Sequence, residues 1–322
     1  MHSPAAMKVP TLLCCLMLST GNVRGGASPH TATVVNEVLA TQVALDRSGF
    51  SPGEIDGRAG RNLQRALTAF QGSHQLPATG RMDDETWKQL AMTAGDVPPL
   101  VDYTTTDADV AGPFTSNIPP KLPDQAALAA LNYRTPLEAL GERFHSSPAL
   151  LQQLNPGATF QRAGERLMVP NVISSSGTQA PASPSGDITV VVTKSTSALT
   201  IEDSTGRVLF HAPVTSGSTH DPLPIGTWKV NGVQRNPKFH YNPELFWDAT
   251  PGDRKATLQP GPNNPVGIVW IDLSKPHYGI HGTPEPSNIG HVESHGCVRL
   301  TNWDADRVAQ WVKPGTRVEF RE

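Results

Sequence analysis

Residues 281–283 read HGT and residues 294–300 read SHGCVRL, and their surroundings decide the fold of the C-terminal part of the chain. Before them, residues 266–273 (VGIVWIDL) form an apolar run of strand length, which is typical of a buried strand. After them, residues 301–304 (TNWD) are a variant of the capping box and predict a helix that ends before Pro314. Residues 281–283 and 294–300 therefore lie between a strand and a late helix.

Further apolar runs extend this β-rich pattern in both directions. Runs rich in valine, isoleucine and leucine, bounded by turn residues, predict strands at residues 188–192, 199–201, 208–210 and 316–320. The sequence thus predicts a mainly-β domain over residues 187–322, with one late helix.

The composition excludes several classes of protein. A chain of 322 residues is long enough for about two domains, or for three small ones. The 28 glycines and 30 prolines, together with only 17% charged residues, exclude a coiled coil and a mostly helical bundle. The net charge of −3 provides no general basic surface for nucleic acid. We therefore expect small folded units joined by connectors rich in proline, glycine and serine.

The N-terminus predicts a secretory signal over residues 1–27. Residues 9–18 (VPTLLCCLML) are an apolar run that follows a positive charge and precedes small residues. The run is too short to span a bilayer, which takes about 20 residues; an uncleaved anchor is the alternative. Cleavage would remove Cys14 and Cys15 and leave Cys297 as the one cysteine. Because an unpaired cysteine is a liability in an oxidising compartment, we expect it to have a chemical role.

The residues around Cys297 fit nucleophilic chemistry. A thiol nucleophile needs a base within hydrogen-bond reach, and His281 or His295 could be that base. Backbone N–H groups of Gly296 and Cys297 could hold an oxyanion, and the Arg299 guanidinium could hold a carboxylate. Two alternatives remain open, an inert buried thiol and a metal site. The ligand-type side chains for a metal would be His281, His291, His295 and Cys297.

Residues 34–91 predict a small domain of three helices. The second helix is the clearest, since Leu63, Ala66, Leu67 and Phe70 follow the spacing of one helical face. A further pattern consists of Gly49-Phe50, Pro52-Gly53, Ile55-Asp56-Gly57, Gly60, Ala66, Phe70-Gln71, Leu76, Gly80, Asp83, Thr86-Trp87 and Leu90. This pattern resembles the peptidoglycan-binding domain found beside cell-wall enzymes. That family usually has threonine where Asn62 or Leu63 stands. The resemblance implies binding to the cell wall.

Two connectors are expected, at residues 92–130 (rich in proline, threonine and aspartate) and at residues 173–186 (ISSSGTQAPASPSG). Between them, residues 131–172 predict two short helices, the second one capped by Ser147. With the following residues 164–170 (GERLMVP), they resemble a degenerate LysM module that lacks the LysM signature before its first helix. Sugar binding and a spacer role both remain open for this segment.

The C-terminal motif resembles the active-site motif of the L,D-transpeptidase family, in which Ser-His-Gly-Cys follows an upstream His-Gly. Residues 214–217 (VTSG) and 226–230 (GTWKV) match a further element of that family. The family usually has Thr-Pro before the second glycine, where this chain has PLP at residues 222–224. The resemblance implies a multidomain chain: a small all-α domain, a short α-rich LysM-like segment, and a mainly-β catalytic sandwich or barrel.

The same resemblance implies roles for individual residues. Cys297 would be the nucleophile, and His281 would be the general base, oriented by the carbonyl of Gly282. The other implied site residues are Gly296 and Cys297 for the oxyanion, Ser294 for support, His295 and Arg299 for the substrate site, and Tyr278 for the pocket lining.

The implied reaction is acyl transfer in two steps, with no metal or organic cofactor. The third residue of a peptidoglycan stem is a diamino acid, and the thiolate attacks the carbonyl between this residue and the terminal D-Ala. D-Ala then leaves, and an amine takes the acyl group. The acceptor remains open: it could be another stem, a wall-anchored lipoprotein, a free D-amino acid or water. An L,D-carboxypeptidase or an amidase would form the same thioester, so both remain alternatives. A non-catalytic wall-binding protein is the alternative from another class. We expect a periplasmic, wall-associated protein. We also expect carbapenems to acylate its cysteine.

Overall fold

The computed structural model of the protein describes residues 37–95, 97–172, 184, 186–294 and 296–322. The predicted signal (residues 1–27) and most of the predicted linker 173–186 lie outside the described residues. In the part of the chain that is described, no helix has the length and apolar character needed to cross a bilayer.

The N-terminal helical unit (residues 37–95) contains α1 (Glu37–Arg47), α2 (Arg61–Ser73) and α3 (Asp84–Ala94). The apolar faces of the three helices meet in one core. In that core, the rings of Phe50 and Phe70 pack edge to face with their centroids 5.3 Å apart. The helical N-terminal region predicted from the sequence is confirmed.

The helix–strand segment (residues 97–172) follows. Its elements are β1 (Leu100–Thr104), α4 (Asp107–Ala111), α5 (Leu122–Gln125), α6 (Pro136–Arg143), α7 (Pro148–Leu154) and β2 (Arg166–Pro170). Strands β1 and β2 pair antiparallel over their whole length. The Ser147 hydroxyl accepts a hydrogen bond from the N–H of Leu150 at 3.1 Å and starts α7, as the sequence predicts.

Residues 92–130 differ from the expectation of a linker, because they contain β1, α4 and α5. The partner of β1 lies more than 60 residues downstream, so no local pattern marks the pair. Leu100 is the buried residue of β1, and it packs in a core shared with Leu39 and Val43 of α1. The helix–strand segment is therefore packed against the N-terminal helical unit rather than flexibly joined to it.

The C-terminal domain (residues 187–322) is built on one large sheet. Its elements are β3 (Ile188–Thr193), β4 (Ala198–Asp203), β5 (Val208–Pro213), β6 (Thr215–Ser216), β7 (Gly226–Arg235), β8 (Phe239–Tyr241), β9 (Ala256–Leu258), β10 (Val269–Leu273), β11 (Gly279–His281), β12 (Val298–Arg299), α8 (Asn302–Trp311) and β13 (Arg317–Arg321). Strands β8 and β9 form a separate antiparallel pair.

The large sheet has the order β5-β4-β3-β13-β7-β10-β11-β12-β6. The pairs β3–β13 and β11–β12 are parallel, and the other neighbours are antiparallel. The two edge strands, β5 and β6, are consecutive in the chain and only Val214 separates them. The sheet therefore curls until its two edges meet, and it is nearly closed. This confirms the mainly-β domain predicted from the sequence.

Helix α8 covers the core of this domain. Ala305 and Val308 of α8 pack with strand residues in one buried apolar cluster. The Thr301 hydroxyl accepts a hydrogen bond from the N–H of Asp304 at 3.2 Å and starts the helix, as the capping-box variant predicts.

The N-terminal helical unit is docked directly on the C-terminal domain. The Ser51 N–H donates to the carbonyl of His211 at 2.8 Å, and the His211 N–H donates to the carbonyl of Gly49 at 3.0 Å. The Ser51 hydroxyl also donates to a buried Asp304 carboxylate oxygen of α8 at 2.8 Å. The described residues between 37 and 322 thus belong to one compact unit.

Candidate active site

The candidate site lies where β11 and β12 run side by side. These strands pair in parallel, with Ile280 opposite Val298 and His281 opposite Arg299. Ile280 and Val298 are fully buried in the core. Because side chains alternate along a strand, His281 and Arg299 face the opposite side of the sheet. Cys297 directly precedes β12, and the charge of Arg299 acts on its thiol.

Two interactions hold the His281 ring. Nδ1 lies 2.7 Å from the carbonyl oxygen of Gly282, and the ring stacks on Trp270 with the centroids 5.5 Å apart. Since a carbonyl can only accept, Nδ1 carries the hydrogen and Nε2 keeps its lone pair. Burial, together with the positive charge of Arg299, lowers the pKa of His281 to about 3. His281 is therefore a neutral imidazole with Nε2 free to accept a proton.

Cys297 is half-buried and its thiol is held by backbone groups. Sγ lies 3.7 Å from the carbonyl oxygen of His277, to which the thiol donates weakly. Burial raises the pKa of the Cys297 thiol; a hydrogen bond from the Gly279 backbone and the charge of Arg299 oppose this rise. The resting pair is therefore a neutral thiol and a neutral imidazole rather than an ion pair.

Ser294 fixes the turn that carries the cysteine. Its hydroxyl donates to the carbonyl of Cys297 at 2.7 Å and accepts from the N–H of Gly217 at 2.7 Å. Ser294 is buried, and Gly217 directly follows β6, which pairs with β12. The serine thus ties the cysteine turn to the neighbouring strand end.

Glycine is required at position 296 for two reasons. Gly296 has a φ of +95°, which favours glycine, and a Cβ there would lie 2.7 Å from Cε1 of Tyr278. The Tyr278 ring therefore packs on the backbone of Gly296. Burial raises the pKa of Tyr278, and the nearby Cys297 and Asp221 add to this rise.

Arg299 lies on the same face as His281 and is partly buried. Burial lowers the pKa of its guanidinium, whereas Cys297 and the carboxylates of Glu285 and Asp248 raise it. It therefore places a positive charge near the cysteine. His295, the remaining predicted site residue, lies outside the described residues.

Sequence reasoning missed Asn302, the first residue of α8. Asn302 is buried; its Oδ1 accepts from the N–H of Ile268 at 3.2 Å, and its Nδ2 donates to the carbonyl of Pro262 at 3.2 Å. A Cβ on Gly282 would lie 2.1 Å from Oδ1, so this amide supports the backbone of Gly282 directly. No sequence signal separates this asparagine from an ordinary residue in the first turn of a helix.

The described residues do not provide a set of ligands for the alternative metal site. Among those residues, no group of three or more His, Cys, Asp and Glu side chains is placed to hold a metal ion. His291, one of the candidate ligands, is exposed to solvent.

Comparison with known proteins gives two matches in separate parts of the chain. Residues 187–320 match the L,D-transpeptidase catalytic domain, and residues 35–90 match a putative peptidoglycan-binding domain. A putative L,D-transpeptidase of Bacillus subtilis is 31% identical over 183 residues, which are 56% of this chain and 91% of the relative.

Two further proteins are similar over shorter parts. A putative L,D-transpeptidase of Bacillus licheniformis is 52% identical over 62 residues, which span 19% of this chain and only 38% of that relative. The crystal structure of L,D-transpeptidase 3 from Mycobacterium tuberculosis is 16% identical, with a TM-score of 0.36; the match covers 50% of this chain and 75% of that one.

Proposed function

Because the chain belongs to the L,D-transpeptidase family, we propose that it transfers acyl groups within bacterial peptidoglycan through a thioester on Cys297. The observation that carries the proposal is the pairing of β11 with β12. It supports the proposal because His281 lies opposite Arg299 in this pair and Cys297 directly precedes β12.

In the first step, Sγ of Cys297 attacks the carbonyl carbon between the third residue of a stem peptide and the terminal D-Ala. The thiol proton moves to Nε2 of His281, since both groups are neutral at rest. The backbone N–H groups of Gly296 and Cys297 are the proposed donors to the oxyanion. The C–N bond then breaks, and D-Ala leaves with the proton from His281.

In the second step, an acceptor amine attacks the thioester carbonyl and gives its proton to His281. The C–S bond breaks, and the thiolate takes that proton from His281, which regenerates the neutral thiol and the neutral imidazole. Arg299 is the proposed partner for a stem carboxylate, because its fork of N–H groups suits a carboxylate and it lies beside His281. Ser294 and Tyr278 are proposed to hold the cysteine turn and line the pocket, and His295 to complete the substrate site.

The match of residues 35–90 to a putative peptidoglycan-binding domain supports a substrate within the cell wall. We propose that the protein acts in the periplasm or cell envelope, with the stem peptides and glycan of peptidoglycan as partners and a wall-anchored lipoprotein as one candidate acceptor. Hydrolysis of the same thioester, as in an L,D-carboxypeptidase or an amidase, is the second candidate function; it differs only in whether water takes the acyl group.

The test is incubation with a disaccharide-tetrapeptide, with the products resolved by mass. A dimer formed with loss of one D-Ala supports transpeptidation, and a tripeptide alone supports the carboxypeptidase. Cys297→Ala should abolish turnover while binding to isolated sacculi is kept. His291→Ala is the control, because this exposed histidine belongs only to the alternative metal site. Full turnover by Cys297→Ala, or bound metal that both variants lose, would refute the thioester mechanism.

A further inference from the structure

The loop between the predicted base and the predicted nucleophile touches the N-terminal helical unit. This loop, residues 284–294, includes Ile289, whose carbonyl accepts a hydrogen bond from Nδ2 of Asn62 at 2.9 Å. Asn62 lies in the first turn of α2. A Cβ on Gly290 would lie 2.5 Å from Oδ1 of Asn62, so the amide packs tightly on the loop backbone. A side chain from one domain thus holds the backbone of another.

The opposite side of the 284–294 loop is held by the C-terminal domain itself. The buried hydroxyl of Thr215 in β6 accepts from the N–H of Gly290 at 3.0 Å and donates to the carbonyl of Asn288 at 3.3 Å. The N–H of Ser294 donates to the carbonyl of Gly217 at 3.0 Å. The loop is therefore held between β6 on one side and Asn62 on the other.

Helix α2 cannot shift freely, because its other end is tied to the same domain. The Ser73 hydroxyl, at the end of α2, donates to the carbonyl of Val208 in β5 at 2.8 Å. With the buried bond from Ser51 to Asp304, this fixes α2 relative to the sheet. Asn62 therefore acts as a fixed support and not as a mobile contact.

The loop also carries the charged residue Glu285, which acts on Arg299 of the candidate site. Asn288 donates to the Glu285 carboxylate at 2.7 Å, and the charge of Glu285 acts on Arg299. Movement of the loop would therefore change the surroundings of the guanidinium. The side chain of Asn62 departs from the threonine usual near this position in the peptidoglycan-binding pattern, and threonine has no amide group to reach Ile289.

We propose that Asn62 is a positioning residue that fixes the 284–294 loop through Ile289 and Gly290. In this way the N-terminal helical unit becomes part of the substrate cleft. The consequence for turnover rests on the proposed function. A stem peptide would then meet a cleft whose geometry is set by the same unit that binds the wall. The Cys297 and His281 side chains have their own supports, so the loop should affect substrate binding more than the chemical step.

The test compares Asn62→Asp with Asn171→Asp in the full chain. Asn62→Asp keeps the size of the side chain but removes the donor to Ile289. Asn171 is the matched control, since its Nδ2 also donates to a backbone carbonyl, that of Pro98 at 2.8 Å, far along the chain from the loop. Asn62→Thr, which removes the side-chain amide, is a second variant. The measurements are hydrogen exchange of the 284–294 peptide, KM and kcat for D-Ala release, and sacculus binding.

We expect Asn62→Asp and Asn62→Thr to speed exchange of the loop and raise KM by about three- to tenfold each, the effect of losing one hydrogen bond. The kcat should change less than about twofold, and Asn171→Asp should leave exchange and KM unchanged. Unchanged loop exchange, faster exchange with an unchanged KM, or the same rise in KM from Asn171→Asp would overturn the proposal. If the wild-type protein releases no D-Ala, the proposed function fails, whereas loop exchange still decides whether Asn62 holds the loop.

Discussion

Replacement of Asn302 by alanine would remove the support beneath the predicted base. The Oδ1 atom of Asn302 lies against Gly282, whose carbonyl accepts the hydrogen bond from Nδ1 of His281 at 2.7 Å. The same Oδ1 accepts from the N–H of Ile268 at 3.2 Å. Asn302→Ala therefore removes a packing contact of the Gly282 backbone and leaves the partly buried N–H of Ile268 without its partner.

The size of the effect follows from these contacts. An unsatisfied buried N–H costs about 1–3 kcal/mol, and the lost bond to the Pro262 carbonyl adds about 1 kcal/mol. The free energy of unfolding should fall by about 2–4 kcal/mol. If the imidazole loses orientation worth one hydrogen bond, about 0.5–1.5 kcal/mol, kcat should fall by roughly two- to twelvefold.

The assay measures kcat for D-Ala release and the unfolding free energy in urea, at a temperature where the variant is folded. Asn155→Ala is the matched control, because Asn155 also accepts from one backbone N–H, that of Met168 at 2.6 Å, and donates to backbone carbonyls. The control should lose stability and keep its kcat. A wild-type kcat in Asn302→Ala, or an equal loss of kcat in Asn155→Ala, would refute the support argument.

Two further predictions concern ionisation. Burial, with the negative charge of Asp46 nearby, raises the pKa of Asp304 from 3.8 to about 6. The folded state then binds the proton more tightly, so stability should fall by up to about 3 kcal/mol as the pH rises from about 4 to 6. Asp304→Asn should lack this component in urea unfolding between pH 4 and 7, and parallel pH curves for the two proteins would contradict it. Because burial raises the pKa of the Cys297 thiol, its alkylation by iodoacetamide should accelerate by about tenfold per pH unit between pH 7 and 9. A rate independent of pH from 6 to 8 would instead indicate a thiolate–imidazolium pair.

The local parts of the site were predictable because neighbouring residues encode them. Residues 281–283 and 294–300 hold the proposed base, the proposed nucleophile and the glycines within short stretches, and the capping residues Thr301 and Ser147 lie next to the helices that they start. The residue types alone left the base and a metal site open, and the resemblance to the family implied the individual roles. The alternation along β11 and β12 then decides which side chains share a face.

The non-local parts could not be predicted in the same way. Strand β1 is five residues long, only Leu100 of it is buried, and its partner comes more than 60 residues later. Asn302 and Asn62 act through contacts with Gly282 and Ile289, which lie far from them along the chain. Nothing in a single sequence indicates which surface polar side chain meets a distant backbone, so these supports emerge only from the structure.

The central place of β13 in the large sheet has a consequence for how the C-terminal domain folds. β13 lies between β3 and β7 and pairs with both, although β3 begins the domain and β13 ends it. A chain shortened before Arg317 would leave two interior strands with unpaired backbone groups, and it would be prone to aggregate. Completion of the sheet must wait until the last five-residue strand has been synthesised. Because this pairing closes a loop of more than 120 residues, the domain should fold slowly.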